Sequence, residues 1–348
     1  MSATVPPRDS SSLEPCAGLP PLVIANPAAR SGRTRGVIET IVTALQARIG
    51  AVDLALTEHA GHATELATRA VAEGRALVIS VGGDGVLSEV VNGLLARPGA
   101  PDAVGTPAAV SPTPEELPAL GIVSAGTGGD FGRSLDIAPA REPYIEAIAD
   151  GRTRVVDVGR ARFVGNDGRP VERFFVNVLS AGIGALVDRY TAAMPAAVPG
   201  RAAYGAATVG AVVTCRRRRI LCRATLADGS AVERVLTTYA VVIANGHTFG
   251  GGMKVAPAAR VDDGLLDVIL IETPTKLTML RHFLSIYRGE HLTKPGVSAF
   301  ACTRVELLAA DGGQSGAGDF FPLDVDGDAL GDLPLSVDVS PARLRLLA

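Results

Sequence analysis

The sequence predicts an α/β fold for the first half of the chain and a mostly antiparallel β fold for the second. In the first half, short β-branched runs alternate with longer segments of helical periodicity, which is typical of parallel strands joined by right-handed helical crossovers. In the second half, short apolar runs follow one another between turn signals such as Asn166-Asp167-Gly168 and Ala227-Asp228-Gly229. The change from one pattern to the other falls near residue 152.

The first half contains four candidate strands, predicted over 22–25, 52–56, 77–81 and 121–124. Helices are predicted over 35–49 and 62–72, and a third follows residues 77–81. Its apolar positions repeat at helical spacing and are Val86, Leu87, Val90, Val91, Leu94 and Leu95. Six prolines between residues 97 and 118 indicate a surface insertion before the fourth strand.

The second half is predicted to be a series of short strands with two helical stretches. The strands cover 155–158, 173–178, 219–226, 231–238, 240–243 and 266–271, and helical periodicity is present near 185–213 and 276–289. We therefore divide the chain into a polar tail over 1–20, an α/β domain over 21–152 completed by C-terminal strands over 333–348, and a β-rich domain over 153–332.

Composition excludes several function classes. Lys and Arg number 33 against 36 Asp and Glu, and the net charge of −3 is too near neutral for a protein that wraps nucleic acid. The 4 cysteines are widely spaced and lack the paired spacing of a zinc site, which favours a reduced, cytoplasmic chain. The N-terminus has no basic start followed by an apolar stretch, so no signal peptide is expected. The longest apolar runs fall well short of the roughly 18 residues that span a bilayer, so any membrane contact is expected to be peripheral.

A first glycine-containing loop follows the first strand and reads Asn26-Pro27-Ala28-Ala29-Arg30-Ser31-Gly32-Arg33. A loop of this kind at the carboxyl end of a parallel strand presents backbone N–H groups to an anion, and Arg33 would add positive charge. An ordinary strand-to-helix connection with a solvated arginine explains the same residues equally well.

A second loop, after the strand over 77–81, carries Gly82-Gly83-Asp84-Gly85 and is followed by Ser88-Glu89. Three glycines around one aspartate let a ligand approach the backbone closely, and the aspartate suits a ribose hydroxyl or a water of a magnesium ion. The loop lacks the Gly-Lys pair of a Walker A motif. The simpler alternative is a tight turn with a helix-capping aspartate.

A third loop, Gly126-Thr127-Gly128-Gly129-Asp130-Phe131-Gly132-Arg133, again follows a strand. Because the carboxyl ends of parallel strands meet at one edge of a sheet, the three loops predict one nucleotide-binding crevice.

Clustered carboxylates mark the second half. Asp262, Asp263 and Asp267 stand in one group, and Asp324, Asp326 and Asp328 stand in another. Such groups suit a hard cation or a general base, although Asp-Gly pairs also form plain hairpin turns. The basic run Arg216–Arg219 suits anionic lipid headgroups or, alternatively, one solvated face.

Together these segments resemble the diacylglycerol kinase catalytic-domain family, above all its bacterial soluble lipid kinases, and more distantly the sphingosine and ceramide kinases. The resemblance is carried, in family order from about residue 22 to residue 328, by NPAARSGR, VGGDGVLSEVVNGL, AGTGGDFGRSL, NVLSAGIGALV, ANGHTFGGGMKVAPAARVDDGLLDV and DVDGD. GGDG alone is shared with NAD kinases and phosphofructokinases, whereas its ordered combination with the later segments is highly specific.

The resemblance implies an NAD-kinase-like or phosphofructokinase-like open sheet, a β-sandwich-like second domain, and ATP in the cleft between them. It implies an ATP-dependent phosphotransferase that acts on a hydroxyl of a diacylglycerol-like or sphingoid lipid, with Mg²⁺ as cofactor, at the inner membrane face. The residues it assigns to nucleotide binding are Asn26, Arg33, Gly82, Gly83, Asp84, Gly85, Glu89, Gly126, Thr127 and Asp130. Asp326 stands at the position of the general base, with Asp328 and Asp84 as further catalytic candidates, and Asp263 with Asp267 stands at a magnesium site of bacterial relatives.

Three residues depart from the family pattern. Val86 replaces a threonine, Gly129 replaces an asparagine, and Asp328 stands where a glutamate is usual. Two alternatives therefore stay open, an NAD-kinase-like phosphotransferase and a non-catalytic relative that binds nucleotide or lipid. The sequence names neither the acceptor lipid nor the oligomeric state.

Overall fold

The computed structural model describes residues 18–27, 34–96, 113–125, 129–138, 140–195, 198, 200–273, 275–310 and 321–348. The elements of its first half are β1 (Leu22–Ala25), α1 (Thr34–Ile49), β2 (Asp53–Leu56), α2 (His62–Ala72), β3 (Leu77–Gly82), α3 (Asp84–Leu95), a 3₁₀ turn (Pro114–Glu116), β4 (Ala119–Ser124), α4 (Asp130–Ser134) and α5 (Arg141–Asp150).

The first four strands form a parallel sheet in the order β2-β1-β3-β4. Every residue of β1 and of β3 is buried, because helices cover both faces of such a sheet. The helices contribute the other half of this core with side chains such as Ile38, Leu66 and Val90. The predicted α/β architecture of the first half is confirmed.

The second half continues as β5 (Thr153–Gly165), β6 (Pro170–Phe175), β7 (Val178–Gly182), α6 (Ile183–Ala192), α7 (Gly200–Thr214), β8 (Arg218–Leu226), β9 (Ala231–Thr238), β10 (Ala240–Ala244), β11 (Leu266–Ile271), α8 (Lys276–Ile286), a 3₁₀ turn (Glu290–Thr293), β12 (Val297–Ala309), β13 (Leu323–Val325) and β14 (Asp328–Leu347).

The strands of the second half pair antiparallel in the order β14-β13-β7-β10-β11-β12-β8-β9, and β5 and β6 pair beside β14. A further pairing between β12 and β14 brings two parts of this path together around a second core. That core includes Leu179, Val241, Val268 and Val305. The predicted antiparallel character of this half is confirmed.

The long strand β14 joins the two halves. Its last residues, Leu346 and Leu347, pair in parallel with Leu120 and Gly121 of β4 and belong to the first core. Earlier residues of the same strand pair with β5, β12 and β13. The two halves therefore share one continuous sheet, while the division into domains at residue 152 stays a prediction.

Three predicted elements of the second half are wrong in their bounds. The strand predicted over 155–158 is the much longer β5. The single strand predicted over 173–178 is two strands, because the N–H groups of Val176 and Asn177 donate to the side chain of Asp326 rather than to a neighbouring strand. The helical stretch predicted over 185–213 is two helices, α6 and α7. The prediction also had no strands at the positions of β12 and β13.

Among the helices of the described ranges, none is long and apolar enough to cross a bilayer.

Candidate active site

Three of the predicted loops begin at one edge of the parallel sheet. Ala25 at the end of β1 lies opposite Val81 of β3, and Val81 lies opposite Val123 of β4. Asn26 therefore follows β1 beside the glycines that follow β3, as the sequence analysis expects. The predicted binding residues Arg33, Gly126 and Thr127 lie outside the described residues.

The loop after β3 leaves its backbone open to a ligand. A Cβ on Gly83 or on Gly85 would meet no described protein atom within 4 Å, so packing alone does not require glycine at either position. Gly82 differs, since a Cβ there would lie 3.1 Å from a methyl carbon of Val86. A pocket of about 260 Å³ lies against this loop. It is lined by Ser80, Gly82, Gly83, Asp84, Leu87, Ile122, Val123, Ser124, Gly129, Gly132 and Tyr144.

Asp84 links the second loop to the third. Its Oδ2 accepts hydrogen bonds from the N–H groups of Gly129 (3.1 Å) and Asp130 (3.4 Å), at the N-terminus of α4. Burial, together with the nearby negative charge of Asp130, raises the pKa of Asp84. Asp84 is the first residue of α3, yet its carboxylate caps the N-terminus of α4. The same side chain lines the pocket.

Gly129 adopts the left-handed conformation, with φ of 85°. A Cβ at this position would lie 2.8 Å from the Ser124 Oγ. Glycine, which stands here in place of the family asparagine, tolerates both the positive φ and the close approach of Ser124 at the end of β4.

Asp130 connects the start of α4 to the second half of the chain. Its Oδ1 accepts from the Arg133 guanidinium (2.7 Å), and its Oδ2 accepts from the N–H of Gly251 (2.7 Å). Ser134, one turn further along α4, accepts at its Oγ from the N–H of His247 (3.0 Å). The Oδ2 of Asp130 and the Oγ of Ser134 thus fasten α4 to the loop after β10, while the Oδ1 of Asp130 pairs with Arg133 on α4 itself.

Glu89 on α3 caps α2. Its Oε1 accepts from the N–H of Gly61 (3.0 Å), and its Oε2 accepts from the N–H of Ala63 (3.1 Å). These N–H groups at the start of a helix have no partner within the helix, which is why a carboxylate is favourable there. We assign Glu89 to the fold on this geometry and leave it out of the proposed nucleotide contacts.

Asp326 lies in the tight turn between β13 and β14, with a left-handed φ of 51°. Its Oδ1 accepts from the N–H groups of Asn177 (3.1 Å) and Val178 (2.9 Å), and its Oδ2 accepts from that of Val176 (3.0 Å). An ionised carboxyl has about four acceptor positions, so one is left, on Oδ2. Burial raises the pKa of Asp326 to about 7 against the opposing effect of these three N–H groups, and the charge of Asp84 adds to the rise.

Other carboxylates surround this turn. Burial raises the pKa of Asp328, the positive charge of Arg173 opposes this rise, and the negative charge of Glu89 adds to it. Asp188 on α6 lies within hydrogen-bonding reach of Asp324. The structure therefore brings Asp84, Asp326 and Asp328 of the predicted catalytic set into one acidic region.

Asp263 and Asp267 lie where β11 begins. Burial and the negative charge of Asp263 raise the pKa of Asp267 to about 6. Asp263 uses its Oδ1 to accept the N–H of Leu265 (3.0 Å). In the described part of the chain, no group of three His, Cys, Asp or Glu side chains forms a metal cluster. Both carboxylates supply the oxygen ligands that Mg²⁺ prefers, with further positions left to water.

The sequence analysis missed Asn177, Asp188 and Tyr204. The Asn177 amide donates to the backbone oxygen of Thr248 (2.9 Å), and its backbone N–H holds Asp326. Tyr204 on α7 has a raised pKa because of burial and the charges of Asp188 and Asp324. Of these three residues, Asp188 could have been found from the sequence, because it is a charged residue on the apolar face of a predicted helix.

Both halves of the chain are similar to known proteins. The family model for the diacylglycerol kinase catalytic domain matches residues 20–161, and the model for the YegS C-terminal NAD kinase beta sandwich-like domain matches residues 177–348. A diacylglycerol kinase of Mycobacterium tuberculosis is 29% identical over 287 residues, which cover 82% of this chain and 81% of the relative.

Solved structures share the fold. A diacylglycerol kinase of Bacillus anthracis superposes with a TM-score of 0.62 at 18% identity and covers 94% of this chain and 96% of its own. Yeast NADH kinase in complex with NADH superposes with a TM-score of 0.50 at 12% identity, covering 99% of this chain and 87% of its own.

The two family models and the relatives identify the protein as a phosphotransferase with an alcohol group as acceptor. The chain belongs to the diacylglycerol kinase catalytic-domain family, which is a family of lipid kinases.

Proposed function

We propose that the protein transfers the γ-phosphoryl group of ATP to a hydroxyl of a diacylglycerol-like or sphingoid lipid. The observation that carries the proposal is that the turn with Asp326 lies beside the pocket that contains Asp84. The turn with Asp326 comes from the second half, and it lies close enough to Asp84 in the glycine-lined pocket of the first half for their charges to interact. A donor site and a base on opposite sides of one cleft are what phosphoryl transfer to an alcohol needs.

On the nucleotide side, the open backbone at Gly83 and Gly85 and the start of α3 are suited to phosphate oxygens. Asn26 lies at the same edge, after β1. Asp84, Asp130 and the N-terminus of α4 fix the shape of the pocket wall, so that little reorganisation is needed when the nucleotide binds.

On the acceptor side, Asp326 takes the proton of the attacking hydroxyl at its free Oδ2 position. Three backbone N–H groups hold its carboxylate in place, and its pKa of about 7 suits a base that works near neutral pH. Asp328 follows it in the same turn and is the second candidate for this role.

Mg²⁺ is included in the proposal as the partner of ATP and as a structural ion. When bound, it neutralises charge on the transferred phosphoryl group. At the structural position, Asp263 and Asp267 would hold the ion, and its charge would relieve the repulsion between these two carboxylates.

Access to the lipid is proposed to occur at a membrane surface through α7 and α8. Val209 and Val213 on α7 and Leu277 and Leu280 on α8 are exposed apolar side chains. The ammonium of Lys276 donates to the backbone oxygen of Val213 and joins the two helices. Most of the basic run Arg216–Arg219 is exposed just after α7, so apolar and basic side chains stand side by side.

The deciding experiment is an assay of ATP turnover against diacylglycerol, sphingoid bases, ceramide and NAD. Phosphorylation of a lipid hydroxyl supports the proposal. Turnover with NAD alone would establish the NAD-kinase-like alternative. ATP binding without turnover on any acceptor would establish the non-catalytic alternative, which Val86, Gly129 and Asp328 keep open.

A further inference from the structure

A pair of buried carboxyl groups lies beside the turn that carries Asp326. Asp324 on β13 is only 4% exposed, and its Oδ1 accepts the N–H of Gly327 (3.2 Å) across the turn. Its Oδ2 has no hydrogen-bond partner among the described groups. Asp188 on α6 is the group within reach, yet two ionised carboxylates cannot donate to each other.

The packing of α6 brings the pair together. Asp324 lies directly opposite Ser180 of β7, so both side chains stand on the face of the sheet that α6 covers. A Cβ on Gly184 would lie 2.5 Å from the Ser180 Oγ, so α6 approaches the sheet closely only because residue 184 has no side chain. Asp188 follows one turn later on the same helix face, over Asp324.

Titratable groups face the pair from each neighbouring element. Asp326 belongs to the same turn, Asp328 begins β14, and Tyr204 stands on α7. Burial, followed by the negative charges of Asp188, Asp326 and Asp328, raises the pKa of Asp324 well above its usual range. Burial and the charge of Asp328 raise the pKa of Asp188 to about 6. The more deeply buried Asp324 is the one that keeps a proton near neutral pH.

We propose that Asp188 and Asp324 share one proton, and that the resulting acid–carboxylate hydrogen bond fixes the turn on which Asp326 is presented. In this arrangement Oδ2 of Asp324 donates to Asp188, while Oδ1 accepts from Gly327. Asp324 is thus a positioning residue, and Asp188 fastens its turn to α6. The inference rests on the proposed role of Asp326, although the shared proton itself is testable without turnover.

The test compares Asp324→Asn with Asp324→Ala, using Asp167→Asn in the exposed β5–β6 turn as a control. Asparagine reproduces the protonated form, since its oxygen accepts from Gly327 and its NH₂ group donates to Asp188. At pH 7, Asp324→Asn is expected to retain kcat within about threefold, and Asp324→Ala to lose on the order of 10- to 100-fold with KM for ATP little changed.

The pH dependence of the melting temperature tests for the shared proton without an activity assay. A carboxyl whose pKa is raised on folding contributes stability at low pH that is lost as pH rises through the folded pKa. Between pH 5 and 8 the parent is therefore expected to lose at least about 3 °C relative to Asp324→Asn, and the control is expected to run parallel to the parent. The infrared difference spectrum of the parent minus Asp324→Asn is expected to show the band of a buried carboxylic acid, since the other buried carboxyl groups, Asp326 included, are common to both proteins.

Parallel melting curves for the parent and Asp324→Asn, with no acid band in the difference spectrum, would overturn the shared proton. A kcat of Asp324→Asn as low as that of Asp324→Ala would overturn the positioning role. If no lipid is phosphorylated by any variant while the melting and infrared results hold, the proposed function fails and the proton pair stands.

Discussion

At the residue scale, Asp326 shows how burial and hydrogen bonding act against each other on one side chain. Three N–H groups favour its ionised form, yet desolvation is the larger effect and leaves the pKa at about 7. Because a general base acts in its ionised form, kcat is expected to rise as pH increases through about 7 and then to level off. Rates measured from pH 5.5 to 8.5 with ATP in excess check this, and a flat profile would contradict it.

Replacing the same residue tests the role directly. Asp326→Asn keeps the shape without the basicity, so kcat is expected to fall by about 10²- to 10⁴-fold with little change in ATP affinity. Asp328→Asn is the comparison, and unfolding curves show whether each variant is folded. If Asp326→Asn keeps more than about a tenth of the parent kcat, the base is another residue, with Asp328 the first to test.

Asp84 combines a structural contact with a proposed binding role, and two substitutions separate them. Asp84→Ala removes the acceptor at the start of α4 and is expected to cost about 0.5–2 kcal/mol in the free energy of unfolding as well as ATP binding. Asp84→Asn keeps an oxygen for the cap and is expected to lose ATP binding with a smaller loss of stability. Calorimetric titration with Mg-ATP separates the two roles. If Asp84→Asn binds Mg-ATP as tightly as the parent, Asp84 caps α4 and does not bind the nucleotide.

The pair Asp263 and Asp267 predicts a response to Mg²⁺ that is independent of turnover. A ligand that binds only the folded state stabilises it, so millimolar Mg²⁺ is expected to raise the melting temperature of the parent. The rise should be smaller in Asp267→Asn. Equal rises in both proteins would place the ion elsewhere.

At the scale of elements, the close packing of α6 on the sheet depends on Gly184. Gly184→Ala would push the helix away from Ser180 and is expected to cost about 1–3 kcal/mol in the free energy of unfolding and to lower kcat. Gly205→Ala on α7 is the matched control, since a Cβ there meets no described atom within 4 Å and a helical alanine is favourable. Equal effects of the two substitutions would mean that the close approach of α6 carries no function.

At the scale of the whole molecule, the proposed membrane surface sets how the enzyme meets its substrate. Reversible binding to anionic vesicles is expected, with each basic residue near the surface adding about 1 kcal/mol that salt screens. Co-sedimentation at low and high salt compares the parent with the Arg216/Arg217/Arg218/Arg219→Gln variant. A control variant carries four glutamines in place of Arg35, Arg48, Arg69 and Arg152, which are exposed elsewhere.

Binding that is lost only from the first variant supports the surface on α7 and α8. Equal losses in both variants would mean that net charge alone drives adsorption. Unchanged binding in both would remove the arginines from the proposal, and no binding by the parent together with activity on a water-soluble acceptor would contradict the lipid substrate itself.

The sequence by itself determined the parallel sheet and the place of its loops. β1, α2, β9 and β11 have the bounds predicted from the sequence, because apolar runs, helical periodicity and flanking turn residues are local signals. The glycine loops at the ends of β1 and β3 follow from the same rule, since parallel strands carry their carboxyl ends to one edge. The resemblance to the family came from segments that keep their order along the chain.

The tertiary structure alone decided which groups face each other. The break between β6 and β7 exists because the backbone there binds Asp326, about 150 residues later in the chain, and no local pattern encodes that contact. The same holds for Asp188 and Asp324, which meet through the packing of α6 on β7 and β13. Desolvation and charge–charge effects depend on distances in the folded chain, so the pKa values that bear on the chemistry were fixed only when the two halves came together.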